Sequence, residues 1–422
     1  MQITRRLALA GTLALSLTGN ALAQTQTTIE LWSFLDPVQD NARSKALKHV
    51  IDTFETANPS IKVKTSVIQW QEISPQLLRA ARAGRVPDVV MIFSPQLQMQ
   101  IAAGTLAPLD DRLAKMPDRS DLVVLSEGKD RKGATYAVPW EMRVSGIMYR
   151  KDLLEKAGLP VPKTLPELAE TAGKLGVEGR IGFGTGFKAT NPDAGIAWFL
   201  PTAIGMGAKV LKPDGTADFA SPEMVQLAQF THDLVHKYKA MTLDSALMGD
   251  TEVQQLAEGG RTAFIAKGSH RLQFIRDKSG LGDNVQLMVA PTFTAGNPAP
   301  AIVQGWSLGI PRASKSQDAA WQFIQHWTST EVQVFQAEKA GYLPVRRSAA
   351  NAPVLKDPKN AHIGWALDYA AQHPFEFNWP ENPDFLYATL AKALEQVVTN
   401  QAPPKEALLA AEKAYAAGAK SN

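Results

Sequence analysis

The residues best suited to metal chemistry are two histidines on one predicted helix. His232 and His236 are four positions apart in the segment HDLVH, so they share a helical face and could both bind zinc. A zinc protease uses a glutamate beside its first histidine as the base, and Asp233 is one carbon shorter. No Gly-x-x-His with a third ligand follows. The apolar stripe of the helix predicted over 224–238 runs beside the histidines, so we interpret them as residues at its solvent border.

Other catalytic arrangements are also poorly represented. A glycosidase needs two carboxylates at a set separation, and Asp36, Glu141 and Glu381 are candidates, but no glycosidase motif surrounds them. The chain has no cysteine, no Gly-x-Ser-x-Gly nucleophile turn and no adjacent tyrosine pair of the kind expected in a ferric-ion receptor. We therefore expect a protein that is not an enzyme and that uses no cofactor and no metal. A periplasmic glycosidase is the distant alternative.

The elements that must position any site alternate between strands and helices. Strands are predicted over 29–34, 61–68 and 89–93, and helices over 42–56 and 76–83. The run 89–93 is continuously apolar, which is typical of a buried strand. This alternation predicts open α/β sheets, and the chain after Ser316 is expected to be mostly helical.

The beginning of the chain predicts export. Arg5 and Arg6 precede an apolar run from Leu7 to Leu17, and the small-x-small sequence Ala-Leu-Ala ends at Ala23. Residues 1–23 are therefore predicted to be a signal peptide that is removed near Ala23. The apolar run is far shorter than the ~20 residues that a spanning helix needs. We expect a periplasmic protein.

Composition limits the classes of partner. The ~400 residues after the signal peptide suit two domains. The formal net charge is +3, and loss of Arg5 and Arg6 with the signal peptide leaves about +1, which provides no basic field for nucleic acid. Because the chain has no cysteine, its stability in an oxidising compartment must come from core packing.

Six segments form one ordered pattern along the chain. They are DTFETANPSIKV (52–63), RVPDVVMI (85–92), YAVPWEMRVSGIMYRKDLLEKAGL (136–159), EGGRTAFIAKGS (258–269), VQGWSLGIPRASK (303–315) and AGYLPVRRSA (340–349). Together they resemble the family 1 extracellular solute-binding proteins, the sugar-binding receptors of ABC importers, similar to maltose-binding protein. The resemblance covers nearly the whole mature chain.

The resemblance implies an α/β protein with the two-lobed, type II periplasmic binding protein fold. The ligand would bind in the cleft between the lobes, and hinge closure would present it to the transmembrane permease subunits of an ABC transporter. Three crossing segments are expected near Glu141–Gly146, Val303–Gly305 and Leu343–Arg347. The expected lobes are residues 24–142 plus 305–345 and residues 143–304 plus 346–422. We expect a monomer.

Candidate ligand contacts follow the strands and flank the crossings. Polar side chains can pair the hydroxyls of a sugar and aromatic rings can stack on its faces, and ligands of open α/β sheets bind beyond the carboxyl ends of strands. The candidates that follow strands are Trp32, Phe34, Asp36, Trp70, Ser94 and Lys188. Those in or beside the crossings are Glu141, Arg143, Gly305, Trp306, Tyr342 and Arg346. His270, Arg271 and Trp379 complete the set.

Several candidates also have a structural interpretation. Trp32 could belong to the buried face of its strand, Ser94 could only cap a helix, and Trp306 could only pack under the hinge. Of Arg346 and Arg347, one is expected to face the cleft and the other solvent.

The chemical class of the ligand stays open at this point. Many members of the resembling family have tryptophan at the position of His270, so a more polar pocket is expected here. A sugar or related polyol is the main hypothesis. The basic residues Arg143, Lys188, Arg271 and Arg346 support the alternative of an anionic solute such as a sugar acid, a sugar phosphate or a glycerol phosphate derivative.

Overall fold

A computed structural model describes residues 26–123, 128–191, 193–375, 377, 379–380 and 382–418. The predicted signal peptide, residues 1–23, and the candidate carboxylate Glu381 lie outside these ranges. Within them, no helix combines the length and the apolar character needed to cross a membrane.

The first stretch of the chain alternates strands and helices. Its elements are β1 (Thr27–Ser33), α1 (Ala42–Ala57), β2 (Ile61–Val67), α2 (Trp70–Arg82), β3 (Val89–Phe93), α3 (Leu97–Ala102), α4 (Asp110–Ala114) and β4 (Ala137–Val144). Strand β1 pairs in parallel with both β2 and β3, so the carboxyl ends of the three strands meet at one edge. Helix α2 begins at Trp70, earlier than predicted. Pro75 is its sixth residue and lies inside the helix, where it removes one intrahelical hydrogen bond.

The second stretch forms a separate sheet. Its elements are β5 (Ile147–Arg150), α5 (Lys151–Ala157), α6 (Leu165–Leu175), β6 (Ile181–Gly184), α7 (Asp193–Gly205), β7 (Val210–Leu211), β8 (Ala217–Asp218), α8 (Pro222–His236), α9 (Leu243–Ala246), α10 (Asp250–Glu258), β9 (Thr262–Ala266), α11 (Leu272–Ser279) and β10 (Val285–Met288). The strand order in this sheet is β10-β5-β9-β6.

The chain then returns to the first sheet and ends on the second lobe. The remaining elements are β11 (Ala301–Gly309), α12 (Gln317–Trp327), α13 (Thr330–Ala340), α14 (Arg347–Ala350), α15 (Ala361–Gln372), β12 (Pro374–Phe375), α16 (Pro383–Val398) and α17 (Pro404–Gly418). The first sheet has the order β12-β11-β3-β1-β2, with β4 also paired to β11. The predicted helical character of the chain after Ser316 is confirmed.

Separate hydrophobic cores define the two lobes. The first contains Ile29, Phe54 and Trp327, while the second contains Phe183 and Leu390. A smaller cluster covers the other face of the second sheet. Neighbouring residues of β5 illustrate this division, because Ile147 packs in the second core and Met148 in the smaller cluster. Side chains alternate between the faces of a strand, so a sheet covered on both faces needs apolar residues at consecutive positions.

The first crossing lies where the sequence predicts it, and the other two are displaced. Strand β4 belongs to the first sheet and β5 to the second, so the chain crosses at Ser145–Gly146. Ala299 packs in the second core and Ala301 in the first, which places the second crossing a few residues before Val303.

The third crossing lies well beyond the predicted segment Leu343–Arg347. That segment stays in the first lobe, because Leu343 accepts a backbone hydrogen bond from Met142 and Arg346 bridges to Leu122. The first core continues as far as Tyr369, and the second resumes at Trp379. We therefore propose lobes that comprise residues 26–144 plus 301–372 and residues 147–299 plus 379–418.

The crossing strands lie side by side. Val303 of β11 is paired with Val144 of β4, and Ala301 and Ile302 are paired with Pro374 and Phe375 of β12. The three connections between the lobes that the structure describes therefore adjoin one hydrogen-bonded ribbon, formed by β4, β11 and β12.

Candidate ligand-binding cleft

A cavity with a volume of about 90 Å³ lies between the two lobes. Its first-lobe wall consists of Phe34, Arg43, Trp70, Phe93 and Trp306, and the first crossing contributes Arg143, Ser145 and Gly146. The second-lobe wall consists of Ala197, Trp198, Asp250, Ala266, Lys267, Gly268, His270 and Arg271. A single water molecule needs about 10–15 Å³ of such a cavity, so the space is large enough for a small solute.

Aromatic rings from several strand ends form the first-lobe wall. Phe34 follows β1, Phe93 ends β3, and Trp306 of β11 is paired with Phe93 across the sheet. The Trp306 ring centroid is 4.3 Å from that of Phe34 and 5.5 Å from that of Phe93. Trp70 stands edge-on to Phe93, with centroids 6.1 Å apart. Parallel strands that end at one edge thereby assemble an apolar surface from distant parts of the sequence.

Gly305 and Ser94 hold the strand that carries Trp306. A Cβ atom on Gly305 would lie 2.1 Å from the carbonyl oxygen of Glu141, so only glycine permits this approach of β11 to β4. The Ser94 hydroxyl donates to the carbonyl of Gly305 at 3.1 Å and accepts from its amide at 2.9 Å. Both residues therefore position the indole from behind the wall.

Two of the basic groups at the cavity are paired with carboxylates. Arg143 donates through Nε to Oε1 of the buried Glu141 at 2.7 Å, and its guanidinium lies 5.6 Å from the Phe93 ring centroid. Lys267 forms an ion pair with Asp250. Pairing compensates each of these cations for the loss of water.

Two further guanidinium groups have no such partner. Arg43 donates through Nε to the Tyr342 hydroxyl at 2.7 Å and lies 5.3 Å from the Phe34 ring centroid. Arg271 lies 6.0 Å from the Phe274 ring centroid. Within the described ranges, neither has a carboxylate within 4.0 Å. Burial, followed by the nearby charges of Arg43 and Arg143, lowers the pKa of Arg271 to about 10.

Burial and the neighbouring cations also change the pKa of His270 in the cavity wall. Burial and then the charge of Arg143 hold the pKa of His270 well below its ordinary value of 6.5. The imidazole is therefore neutral at neutral pH. Its Nδ1 atom is buried and has no hydrogen-bond partner among the residues that the structure describes.

A second cavity of about 270 Å³ adjoins the first and shares Trp70 and Phe93 with it. Gln96 of the first lobe donates to Asp384 of α16 at 2.9 Å, so a hydrogen bond joins the two lobes here. Burial raises the pKa of Asp384 above its ordinary range. The cleft therefore continues past the aromatic wall.

The structure sorts the residues predicted from the sequence into three groups. The cavity wall contains Phe34, Trp70, Arg143, His270, Arg271 and Trp306. Ser94, Glu141, Gly305 and Tyr342 lie behind the wall and contact or hold residues in it. Trp32, Asp36, Lys188, Arg346 and Trp379 do not line the cavity.

The residues of the third group have local partners instead. Trp32 donates to Glu30 at 3.3 Å, and Asp36 accepts from the amide of Val38 at 3.1 Å. The Lys188 ammonium lies 3.2 Å from Glu252.

Arg346 and Trp379 are buried away from the wall. The guanidinium of Arg346 lies 2.6 Å from Asp118 and 3.2 Å from Asp121, and it also donates to the carbonyl of Thr328. Trp379 packs in the second core beside Tyr387.

The sequence analysis did not select several residues of the wall. These are Arg43, Phe93, Ser145, Gly146, Ala197, Trp198, Asp250, Ala266, Lys267 and Gly268. A signal for Arg43 is present in the sequence, since it shares the buried face of α1 with Leu47, Val50 and Phe54. An arginine at an apolar position of an amphipathic helix needs a specific partner.

The histidine pair of α8 contributes to packing between helices. The rings of His232 and His236 stack with centroids 4.3 Å apart. Their Nε2 atoms lie 2.8 Å from the Asn400 side chain and from the carbonyl of Val398, respectively. Among the described residues, no group of three or more His, Cys, Asp or Glu side chains is arranged to hold a metal ion.

The family model for the bacterial extracellular solute-binding proteins matches residues 49–362, which is more than half of the chain. The chain belongs to this family. Like its relatives, this solute-binding protein has two α/β lobes with a cleft between them, and the family implies a periplasmic or secreted location.

Similar proteins with assigned ligands include two bacterial receptors. The mannitol-binding protein of Pseudomonas aeruginosa is 27% identical over 336 residues, which cover 78% of this chain and 74% of that protein. The diacetylchitobiose binding protein DasA of Streptomyces coelicolor is 24% identical over 302 residues, which cover 68% of this chain and 67% of that protein.

Solved structures show the same fold. Maltose-bound MalE3 of T. maritima superposes with a TM-score of 0.81 at 23% identity and covers 92% of this chain and 98% of that one. A solute-binding protein of Agrobacterium vitis with bound D-mannitol has a TM-score of 0.78 at 24% identity and covers 94% of this chain and 99% of that one.

Proposed function

We propose that this protein is the receptor of an ABC importer and binds a small polyhydroxylated solute, a sugar or polyol, in the cleft between its lobes. The observation that carries the proposal is the combination of aromatic faces and polar groups around one interlobe cavity. Trp306, Phe34 and Trp70 offer faces to C–H groups, while Arg143, held by Glu141 behind the wall, offers hydrogen bonds to hydroxyls. The ligands of the mannitol- and diacetylchitobiose-binding relatives support this class of solute.

We further propose that the protein acts as a monomeric carrier in the periplasm, after removal of the signal peptide near Ala23, and leaves its solute chemically unchanged. Of the carboxylates weighed as glycosidase residues, Glu141 is paired with Arg143 and Asp36 caps the backbone of its own turn. Neither carboxylate lines the cavity, so the two are not placed as a catalytic pair on either side of a solute.

Hinge closure couples the solute to the transporter in this proposal. An open form touches the solute with one lobe and a closed form with both, so the contacts of the second lobe favour closure. A permease that docks on both lobes can then distinguish the loaded receptor from the empty one. The interlobe hydrogen bond from Gln96 to Asp384 is a contact that opening would break.

Binding and turnover can be tested together on the mature protein. A thermal-shift screen of sugars and polyols should give a hit, and calorimetry should then show one site per chain. Ligand at ~100 times its Kd should add about 2.7 kcal/mol to the free energy of unfolding. Chromatography of the solute after long incubation should recover it intact. Formation of a product after stoichiometric binding would contradict the proposal.

Closure has its own measurement. Small-angle scattering should show a smaller radius of gyration at saturating solute than without it. An unchanged scattering profile at saturation would reject the hinge mechanism but leave the binding site itself standing.

A further inference from the structure

We infer that the solute carries an anionic group, and that Arg43 and Arg271 form the site that receives it. The inference rests on the proposed function and narrows it from sugars and polyols in general to hydroxylated acids, such as a sugar acid. The two guanidinium groups come from different lobes, Arg43 from α1 and Arg271 from the turn before α11. An anion between them would therefore bind to both lobes at once.

The charges around the cavity are not balanced within the described residues. Four basic side chains lie in its wall, namely Arg43, Arg143, Lys267 and Arg271, with Asp250 as the acidic one. Glu141, directly behind the wall, adds a second carboxylate. These two acids are already engaged by Arg143 and Lys267. Among the described residues, the wall and the carboxylate behind it therefore carry two more positive than negative charges.

Burial makes this imbalance costly. Arg43 is only 8% exposed, and its Nη2 atom is buried without a hydrogen-bond partner among the described residues. The Nε atom of Arg271 is in the same situation. An N–H group removed from water without an acceptor loses its hydration, and the Tyr342 hydroxyl and the neighbouring rings compensate the two guanidinium groups only in part. Its planar fork matches a carboxylate or a phosphate, which would supply both the missing charge and the missing acceptors.

The rest of the cavity favours a solute that also bears hydroxyls. Oε2 of Glu141, immediately behind the wall, is buried without a partner within the described ranges and is an unsatisfied acceptor beside the cavity. The indole Nε1 of Trp306 is a donor that likewise lacks a partner there. Aromatic faces beside these groups suit the C–H surface of a sugar ring. An acidic group combined with hydroxyls on a compact carbon skeleton suits this set of groups.

The test compares matched acidic and neutral solutes on the mature, full-length chain. Calorimetry would measure D-galacturonate against D-galactose, D-gluconate against D-glucitol, and D-glucose 6-phosphate against D-glucose. We expect the acid of at least one pair to bind at least tenfold more tightly than its neutral counterpart, and to lose affinity as salt is raised. A preference confined to the phosphate pair would assign the anion as phosphate rather than carboxylate.

Variants locate the anion. Arg271→Gln and Arg43→Gln should each reduce the affinity for the preferred acid at least tenfold and abolish the preference for acid over neutral solute. Arg82→Gln, on the exposed side of α2, is the matched control and should change neither. Circular dichroism and thermal unfolding of each variant would show that the fold is retained.

The two proposals fail in different ways. A neutral solute that binds as tightly as its acid in every pair, with no effect of Arg271→Gln, would overturn the anionic site and leave the sugar receptor intact. An absence of binding for every solute of both classes would count against the proposed function itself.

Discussion

Two buried arginine sites in this protein have the same side chain and opposite surroundings. Arg346 is 1% exposed and lies between the carboxylates of Asp118 and Asp121. Arg43 and Arg271, at the cavity wall, have no carboxylate among the described residues within the distance of an ion pair. The first site has its carboxylates within the chain, whereas the second has none at ion-pair distance in the part of the chain that the structure describes.

The difference shows how a structural arginine can be told from a binding one. A buried ion pair with good hydrogen bonds is expected to act on folding, because removal of one partner leaves the other charge buried. An unpaired buried cation destabilises the empty protein and becomes favourable only when a ligand arrives. Stability should therefore depend on the Arg346 cluster, and affinity on the residues of the cavity wall.

The largest effect is expected at the Arg346 cluster. Arg346→Ala should lower the free energy of unfolding by about 2–5 kcal/mol, mainly because removal of this fully buried side chain leaves a cavity, and to a smaller extent because the more exposed Asp118 and Asp121 lose their partner. Urea unfolding followed by circular dichroism measures this. Arg347→Ala, at the exposed neighbour, is the control and should cost less than about 1 kcal/mol. Equal effects of the two variants would remove the contrast between the sites.

The next effect concerns affinity at the cavity wall. Trp306→Ala should weaken solute binding by about 1–3 kcal/mol, because the solute loses an aromatic face and its buried area. Calorimetry decides this. Trp379→Phe, in the second core away from the wall, is the matched control and should bind with unchanged affinity. Unchanged affinity in a folded Trp306→Ala protein would assign the indole to hinge packing alone.

The third effect is a pH dependence that originates in the burial of His270 and, after that, in the positive charges beside it. The pKa of His270 in the folded protein lies well below 6.5, so below pH 6.5 the unfolded chain takes up a proton that the folded chain does not. Stability that this group contributes is present above pH 6.5 and is lost as the pH falls. At pH 5 the loss amounts to at most about 2 kcal/mol.

Unfolding by guanidinium chloride, measured at pH 7.5, 6 and 5, checks the prediction. The decline should be shallower in His270→Gln than in the unsubstituted protein, and unchanged in His232→Gln on α8. His326 and His362 also have lowered pKa values, the latter about 4 through burial, so some decline should persist in both variants. An identical decline in His270→Gln would show that the folded protein does not lower the pKa of His270.

The smallest expected effect is that of Arg271→Gln on stability, and it tests most directly the contrast between the Arg346 cluster and the arginines of the cavity wall. Arg271→Gln in the ligand-free protein should change the free energy of unfolding by less than about 1 kcal/mol, or stabilise the protein, because no internal partner is left behind. The same urea titration measures this. A loss comparable with that of Arg346→Ala would reveal a structural partner for Arg271 and would contradict the distinction between the two sites.

The fold was largely predictable because its signals are local. The apolar run at 89–93 forms β3 with the predicted ends, and the first crossing falls between β4 and β5 as expected. The third crossing was misplaced, because residues 343–346 pair with Met142 and Leu122 of the first lobe, and nothing near them in sequence reveals those partners. Long-range packing decided the boundary.

Some residues of the candidate cleft could also be placed from local signals in the sequence. Phe34 and Trp70 follow strands whose ends meet at one edge, so their placement follows from strand order. Arg346 and Arg271 looked alike in the sequence. The carboxylates that separate their roles, Asp118 and Asp121, are more than 200 residues from Arg346 along the chain. A counter-ion at that distance has no signature in a single sequence.

The ribbon formed by β4, β11 and β12 has a consequence for the thermodynamics of binding. Because the three connections start from hydrogen-bonded neighbours, we expect the proposed hinge motion to be close to a rotation about a single axis, with little tilting or sliding of one lobe against the other. Little orientational entropy is then left to lose when a solute draws the lobes together, so more of the contact energy appears as affinity. A substitution that frays this ribbon should weaken binding through the entropy of association, without altering any group that touches the solute.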